Sequence, residues 1–342
     1  ARKALIGQRR QRPEKSDMSR TTDVTFLLLE DFSHIAFACA VEPLRIANLL
    51  QGEEIYRWRL ASPDGQRAVC SNGTVTLVDQ GLDPLPARSS LFLISGQNVG
   101  DRAAPEVLSF LRRERARGTQ IGAICSGAYI LAKAGLLNDR RAAIHWSFHD
   151  SFEETFPDVQ LCKNVFVTDE AFVTASGGTA ATDMMLHLIG EAHGTDLAVA
   201  IADMMVYSGV RPANAAQQIS LQARHGIRNP HIAEAIRLLN ESAPYYLPTS
   251  EIARKIGIST RQLERLFQKH LKVSPKRFAI DQKLTRARNL LLQTERSVSE
   301  IALACGYESA SHFIRTYQNR FGVTPHNQRL CSAGTQAAFQ RA

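Results

Sequence analysis

The sequence lacks the features that would place it in a membrane or in an oxidising compartment. No apolar run approaches the ~20 residues of a helical membrane span, so we expect no membrane association. The 6 cysteines are scattered and form no CxxC pair. This argues against a disulfide framework or a thiolate metal site and favours a reduced cytoplasm. We therefore expect no metal and no cofactor.

The N-terminal end also lacks a targeting signal. Residues 1–20 are basic but contain no apolar core, which excludes a secretory signal peptide. We expect them to form a disordered basic tail, and residues 331–342 to form a flexible one.

Charge is divided unevenly along the 342 residues. Residues 229–330 carry 16 Lys and Arg against 8 Asp and Glu, a net of +8, whereas residues 21–228 carry 17 against 23, a net of −6. A chain of this length can form two domains, each with its own core. The uneven charge predicts that the basic region meets a polyanion and that the acidic region does something else.

The basic region contains an internal repeat. Ser250-Glu251-Ile252-Ala253 returns 49 residues later as Ser299-Glu300-Ile301-Ala302, and Gly257 returns as Gly306. Each copy predicts a short helix, a turn at the glycine and a second helix that begins at a serine N-cap. Two helices joined by a glycine turn are typical of the helix-turn-helix of DNA-binding proteins.

The segment between the two copies predicts a stiff connection. Lys276–Gln293 contains no Gly or Pro and favours one continuous helix. Such a rod would hold both reading helices so that they enter successive major-groove turns, about 34 Å apart.

The candidate DNA contacts are the polar positions opposite each apolar stripe, where Arg can read guanine and Gln or Asn can read adenine. Any single arginine could equally serve only to solvate an amphipathic helix. Lys272 is expected to contact phosphates. The candidates for base contacts are Arg261, Glu264, Arg265, Gln268, Ser311, His312, Arg315 and Asn319.

Residues 229–330 resemble the tandem helix-turn-helix domain of AraC/XylS-type transcription regulators. The resemblance is carried by Ala304-Cys305-Gly306-Tyr307 and by Phe321-Gly322-Val323-Thr324-Pro325. It implies an all-α domain that binds double-stranded promoter DNA, with RNA polymerase as a potential partner. The chain departs from the family after Pro325, where His326-Asn327-Gln328-Arg329 replaces the usual aromatic-Arg pair.

The acidic region alternates strand-like and helix-like segments. Apolar runs such as Val24–Leu29 and Gln120–Ile124 predict strands buried on both faces, which indicates an α/β domain with a parallel sheet covered by helices on both sides. A helix over Ala213–Gln222 is expected to close this part. The predicted domain bounds are 21–208 for the α/β domain, 209–229 for a linker and 230–330 for the DNA-binding domain.

A candidate site lies where Ile121-Gly122-Ala123-Ile124 runs into a helix of small residues at Cys125. This strand-to-helix bend is the geometry of a nucleophile elbow, and the helix N-terminus is expected to lower the pKa of the thiol. His145 and Trp146 follow twenty residues later, and Gly96 and Gln97 follow another buried strand. All are predicted at the carboxyl edge of the sheet, where ligands bind in open α/β folds.

The acidic region resembles the PfpI-type, class I glutamine amidotransferase-like fold, and both halves together resemble the GlxA-type branch of AraC regulators. This implies a flavodoxin-like sheet, with Cys125, His145 and Gly96 at the pocket positions. The chain departs from the pattern at Ser126, where PfpI-type proteases have histidine, and at Phe37, near the place of the superfamily's acidic residue. Phe37 is therefore a further candidate pocket residue.

Several interpretations of these residues stay open. Cys125 could be an inert core residue, part of a ligand-recognition pocket, the nucleophile of a hydrolase or amidase, or a redox sensor. Trp146 could be core or one wall of a cage for a cationic ligand, and the role of Asp183 stays undecided. Glu42-Pro43-Leu44-Arg45-Ile46-Ala47-Asn48 resembles the subset of regulators that respond to choline-derived quaternary amines, carnitine or amino acids.

The sequence as a whole therefore predicts a homodimeric transcription regulator rather than an enzyme. We expect it to act as an activator and to respond to a small-molecule effector such as glycine betaine, carnitine or an amino acid. The alternative is a Cys-dependent hydrolase or amidase with an accessory DNA-binding domain.

Overall fold

A mostly parallel sheet organises the N-terminal part of the molecule, because its strands consist of apolar runs that are buried on both faces. The computed structural model describes residues 21–169, 172–217 and 229–330. The strands of this part are β1 Thr22–Leu28, β2 Tyr56–Ala61, β3 Arg67–Val69, β4 Val75–Leu77, β5 Ser90–Ile94, β6 Gln120–Ile124, β7 Arg141–Ala142, β8 Gln160–Leu161, β9 Phe166–Thr168 and β10 Phe172–Ala175.

Seven α-helices accompany these strands among the described residues. They are α1 His34–Gln51, α2 Val99–Arg102, α3 Pro105–Ala116, α4 Gly127–Lys133, α5 His149–Thr155, α6 Ala180–His193 and α7 Thr195–Met204. A 3₁₀ turn, Trp146–Phe148, leads into α5.

The main sheet has the strand order β2-β1-β5-β6-β10-β9, with every neighbouring pair parallel except β10 and β9. One face packs on α1, α6 and α7, and the other packs on α3 and α4, so each face has its own apolar core. The predicted fold class, a flavodoxin-like α/β domain with helices on both faces, is confirmed. The carboxyl ends of β5, β6 and β10 lie side by side and bring their following loops together.

The C-terminal part is helical, as predicted. Its helices are α8 Pro230–Glu241, α9 Thr249–Lys255, α10 Thr260–Leu271, α11 Pro275–Gln293, α12 Val298–Ala304 and α13 Ala310–Phe321. Residues 325–330 are helical as well. The predicted rod forms as α11, whose 19 residues span about 28 Å.

The internal repeat is visible in the helix bounds. Helix α12 begins and ends 49 residues after α9, and α13 begins and ends 50 residues after α10. Gly257 and Gly306 have φ of 73° and 71°, so each supplies the left-handed turn between the paired helices. Ser259 and Ser309 each accept a hydrogen bond from the backbone N–H three residues on, as N-caps do.

The repeated unit contains a third helix that the sequence prediction missed. In α8, Ile232, Ala235 and Leu239 are buried against the first unit, and 52 residues later Leu284, Ala287 and Leu291 of α11 are buried against the second unit. The repeat is therefore a pair of three-helix units. The buried apolar positions of α8 and α11 match, but the residues between them differ, so this part of the repeat is not visible in the sequence.

The last helix, residues 325–330, is held by Arg329, which lies in the segment that departs from the family pattern. Arg329 donates hydrogen bonds to the backbone oxygens of Leu291 at 3.3 Å and Arg296 at 2.6 Å. The guanidinium thus ties residues 325–330 to the end of α11.

The predicted helix over Ala213–Gln222 is wrong in its described part. Residues 213–217 form turns and a bridge between Asn164 and Ala216, and residues 218–222 lie outside the described residues, as do 1–20 and 331–342. The segment pairs instead with another part of the chain, because Val165 N–H donates to Ala215 O at 3.0 Å, and the residues just before it are bound by Asp183. The fully buried carboxylate of Asp183 accepts hydrogen bonds from Tyr207 Oη at 2.9 Å and from the backbone and side chain of Arg211 at 2.8 Å each.

None of the described helices is long and apolar enough to cross a bilayer.

Substitution Asp183→Ala should lower the stability of the α/β domain by about 3 kcal/mol, because it leaves the Arg211 charge without its buried partner. The exposed Asp203→Ala on the neighbouring helix is the control and should change stability by less than about 0.5 kcal/mol. Chemical denaturation followed by circular dichroism measures both. Equal effects of the two substitutions would contradict the structural role of Asp183.

Candidate functional site

The candidate pocket is built around a strained residue at the end of β6. Cys125 has φ of 64°, a left-handed conformation that non-glycine residues rarely adopt. Its backbone N–H donates to Ala175 O at 2.9 Å, which holds the bend against β10. Gly177 lies against the other side, since a Cβ there would stand 2.8 Å from Cys125 Cβ. The elbow is therefore fixed by contacts from the end of β10 and from the loop that follows it.

The thiol of Cys125 is almost fully buried, and burial determines its chemistry. Desolvation raises the pKa of Cys125 to about 11, and this outweighs the opposing effect of the Ser126 backbone N–H. The prediction that the helix N-terminus lowers this pKa is therefore wrong. A single stabilising N–H does not compensate for transferring a thiolate out of water.

His145 comes back beside the elbow, but the hydrogen bond of its ring goes to Ser147. The His145 backbone N–H donates to Cys125 O at 3.1 Å, while its Nδ1 lies 2.8 Å from Ser147 Oγ. Within the described part of the chain no hydrogen bond joins the imidazole to the thiol. Trp146 is 42% exposed, and its ring centroid lies 5.4 Å from that of His145.

Both histidines of this segment are held neutral by their surroundings. Desolvation lowers the pKa of His145. Desolvation, followed by the nearby charge of Lys163, lowers the pKa of His149 to about 4. At neutral pH both imidazoles are therefore mostly neutral and add no positive charge to this segment.

The other predicted pocket residues lie along the same edge. Ser126 Oγ donates to Gly96 O at 2.5 Å, and a Cβ on Gly96 would stand 2.1 Å from Asp31 O. Gln97 is exposed. Phe37 packs with Phe32 on the core cluster that contains Cys125, so an apolar ring stands near the expected place of the acidic residue.

Sequence reasoning missed the supporting contacts rather than the elbow itself. Ser126, noted only as a departure, joins the loops after β5 and β6. For Gly177 the sequence did hold a signal, because the Gly177-Gly178 pair favours a close approach of two backbones. Phe32, which bridges to Gly96, had no signal in the sequence.

The run Glu42–Asn48 has structural roles in α1. Glu42 pairs with Arg45 on the surface. Asn48 accepts a hydrogen bond from Tyr56 N at 2.9 Å and donates one to Tyr56 O at 2.7 Å, which joins α1 to β2. These contacts explain the residues without a ligand.

No group of three or more His, Cys, Asp or Glu side chains in residues 21–169, 172–217 and 229–330 is arranged to hold a metal ion.

The candidate DNA interface consists of the outer faces of α10 and α13. Leu263 and Phe267 in α10, and Phe313 and Tyr317 in α13, are fully buried, which turns the opposite faces to solvent. All of the predicted contact residues are exposed: Arg261, Glu264, Arg265, Gln268, Lys272, Ser311, His312, Arg315 and Asn319.

The arginines of these two faces are available for a partner. The side chains of these arginines make no hydrogen bond or ion pair with another described residue. They are Arg261, Arg265 and Arg315. By contrast, the Nε of Arg320 lies 3.0 Å from Asp281 Oδ1, so its charge is partly neutralised within the protein. Unpaired guanidinium groups on an exposed helix face are suited to reading base edges.

Comparison with known proteins agrees with both halves of the molecule. A helix-turn-helix domain model matches residues 252–330, and a DJ-1/PfpI family model matches residues 22–191. The HTH-type transcriptional regulator GbdR of Pseudomonas aeruginosa is 39% identical over 306 residues, which cover 90% of this chain and 83% of the relative. The regulator GlxA of Rhizobium meliloti is 33% identical, with 92% and 97% covered.

The α/β half is also similar to an enzyme. Isonitrile hydratase of Pseudomonas putida is 30% identical over 128 residues, which cover 37% of this chain and 55% of that protein. The regulators match nearly the full length, including the helix-turn-helix units. The chain therefore belongs to the AraC-type family of helix-turn-helix transcription regulators, in the group that carries an N-terminal DJ-1/PfpI domain.

Proposed function

We propose that this protein is a cytoplasmic regulator whose α/β domain, residues 21–208, binds a small effector and thereby changes how residues 230–330 bind promoter DNA, with 209–229 as the linker. The duplicated reading helix with unpaired, exposed arginines is the observation that carries the DNA-binding part. Activation of transcription, a homodimeric state and contact with RNA polymerase belong to the same proposal.

The tandem arrangement supports recognition of one continuous DNA face. The two units share α11, so α10 and α13 are held at one separation and can enter successive major-groove turns. Arg265 and Arg315 occupy equivalent positions, 50 residues apart, and would contact base edges. Lys272, in the left-handed C-cap of α10, would contact a phosphate.

Substitutions Arg265→Ala and Arg315→Ala should each relax the sequence preference by about 1–3 kcal/mol, because each removes a side chain that can bond a base bidentately. Substitution Lys272→Ala should instead weaken binding to all sequences alike and reduce the salt slope by about 1. Titration of selected and scrambled duplexes at several salt concentrations separates the two behaviours. The reverse pattern would show that the assignment of the faces is wrong.

The pocket beside Cys125 supports binding of a cationic or zwitterionic effector. An exposed tryptophan offers a π face, and at neutral pH His145 and His149 add no positive charge to this segment, where the charge of Lys163 is also felt. A quaternary amine such as glycine betaine or carnitine, or an amino acid, fits that surface.

Substitution Trp146→Ala should weaken binding of such a cation by about 5–30-fold, which corresponds to a cation–π contribution of ~1–2 kcal/mol. Trp146→Phe should retain most of the affinity because it keeps an aromatic face. Thermal-shift titration of the full chain with glycine betaine, carnitine and arginine measures the change. Equal loss in both variants would argue against a cation–π contact.

The pocket does not support nucleophilic catalysis. A nucleophile needs a base within hydrogen-bonding reach and a third group that orients the base. Here the thiol is buried with a raised pKa, and the ring of His145 is engaged by Ser147. We therefore propose that the elbow geometry serves recognition rather than turnover.

Cys125 should react slowly with iodoacetamide at pH 7, and its rate should rise about tenfold per pH unit up to pH 9, because with a pKa of about 11 the thiolate fraction grows tenfold per unit. Labelling followed by mass spectrometry compares it with the half-buried Cys162. Cys125→Ala should retain effector-dependent transcription. Fast labelling at pH 7 together with loss of the response would favour the hydrolase or amidase alternative.

A further inference from the structure

Among the described residues, a small surface of the α/β part contacts α11 of the DNA-binding part. It consists of the 3₁₀ turn Trp146–Phe148 and helix α5, which pack on the rod α11. Arg286 of α11 places Nη1 3.3 Å from Asp150 Oδ1 and Nη2 3.2 Å from Glu154 Oε1. Arg296, just beyond the rod, pairs with the second oxygen of Glu154. One carboxylate of the α/β part therefore bridges two arginines of the other part.

The amide of Gln293 forms a second connection in the same surface. Its Nε2 donates to Ser147 O at 3.1 Å, and its Oε1 accepts from Ser151 Oγ at 2.9 Å. Donor and acceptor of one side chain are both used, so the contact fixes the orientation of α11 as well as its distance.

These contacts have the character of an interface rather than of chance surface pairs. Side chains of Arg286 and Glu154 are only 18% and 21% exposed. The Ser151 side chain is buried. Removing one partner of a partly buried, hydrogen-bonded ion pair is destabilising, because the other charge is left unpaired.

The same segment forms a wall of the candidate pocket. The backbone N–H of His145 binds Cys125 O, and the Nδ1 of His145 lies beside Ser147 Oγ. The carbonyl of Ser147 in turn accepts from Gln293. The segment His145–Ser147 thus connects Cys125 at the elbow to Gln293 at the end of α11.

A third contact ties the segment to the chain that leads to the DNA-binding part. The side-chain Nε2 of Gln217 donates to Ile144 O at 3.0 Å and to Asn164 O at 2.7 Å. Ile144, which precedes His145, is therefore hydrogen-bonded to Gln217, which lies between the α/β part and the DNA-binding part in the sequence.

We propose that the surface formed by Ser147, Asp150, Ser151 and Glu154 is the docking site of the DNA-binding half of the same chain, and that it transmits effector binding to the reading helices. This inference rests on the proposed function. A ligand against His145 and Trp146 displaces the turn that carries Ser147 O. The displacement changes how firmly α11 is held against the α/β part, and α10 and α13 move with α11 as one body.

The test compares Glu154→Arg with Glu153→Arg in the full-length chain. Both change the same charge on α5, but Glu153 is exposed and pairs with Lys163 inside the α/β part at 3.6 Å. Gln293→Ala is a second variant that removes the amide contact from the other side without a change of charge. Duplexes for the assay are selected by the wild-type protein from a random library, and glycine betaine, carnitine and arginine are the probes.

Two readouts are measured on each protein. Small-angle scattering without probe reports whether the halves stay docked, and we expect a larger radius of gyration for Glu154→Arg and Gln293→Ala but not for Glu153→Arg. The ratio of DNA Kd without and with probe reports coupling. A wild-type ratio in the usual range of about 5–150 should fall to about 1 in both docking variants and stay unchanged in Glu153→Arg.

The outcomes separate this inference from the function on which it rests. An unchanged radius of gyration in both docking variants, or a coupling ratio equal to that of the wild type, overturns the docking proposal while the regulator stands. A wild-type protein that binds its selected duplex without responding to any probe contradicts the proposed effector class. A larger radius in the docking variants would then still support the docking surface.

Discussion

The helix α11 is the physical constraint on which the molecule depends, because it belongs to two apolar cores at once. Phe278 and Ala279 near its start pack on the core of the first unit, whereas Leu284, Ala287 and Leu291 are buried in the second. Neither unit can rotate independently without exposing its share of this helix to water. Burial of apolar surface stabilises by ~25 cal/mol per Å², so the shared helix favours one arrangement of the two reading helices.

The contacts of the α/β domain follow from this. A signal that acts on both reading helices has to act on α11, because both units pack on it. The α/β domain contacts α11 at Arg286 and Gln293. Glu154 and Ser147 meet them from a segment that begins at the candidate pocket. An equilibrium between two arrangements of this contact is what would allow a small ligand to act at a distance.

The candidate site keeps the backbone conformation of a nucleophile elbow, although the described hydrogen bonds of its side chains join no base to the thiol. Cys125 retains the left-handed conformation that an elbow requires, held by Ala175 and Gly177. Burial raises the pKa of the thiol to about 11, and an aromatic ring, Phe37, stands near the place of an acidic partner.

The sequence by itself determined the local elements and the repeat, because these depend on periodicity and on residues with special backbone preferences. The glycine turns, the serine caps, the rod and the buried strands all followed from short-range patterns. It also located the elbow, since a strand, a cysteine and small residues suffice to indicate that bend.

Tertiary structure decided what depends on desolvation and on distant partners. The pKa of Cys125 is raised because of burial that no neighbouring residue in the sequence reveals. The segment 213–217 forms turns and a bridge to Asn164 instead of the predicted helix, because its backbone pairs with residues about 50 positions earlier in the chain. The contact of Glu154 with Arg286 joins residues 132 positions apart, and only folding could bring these charges together.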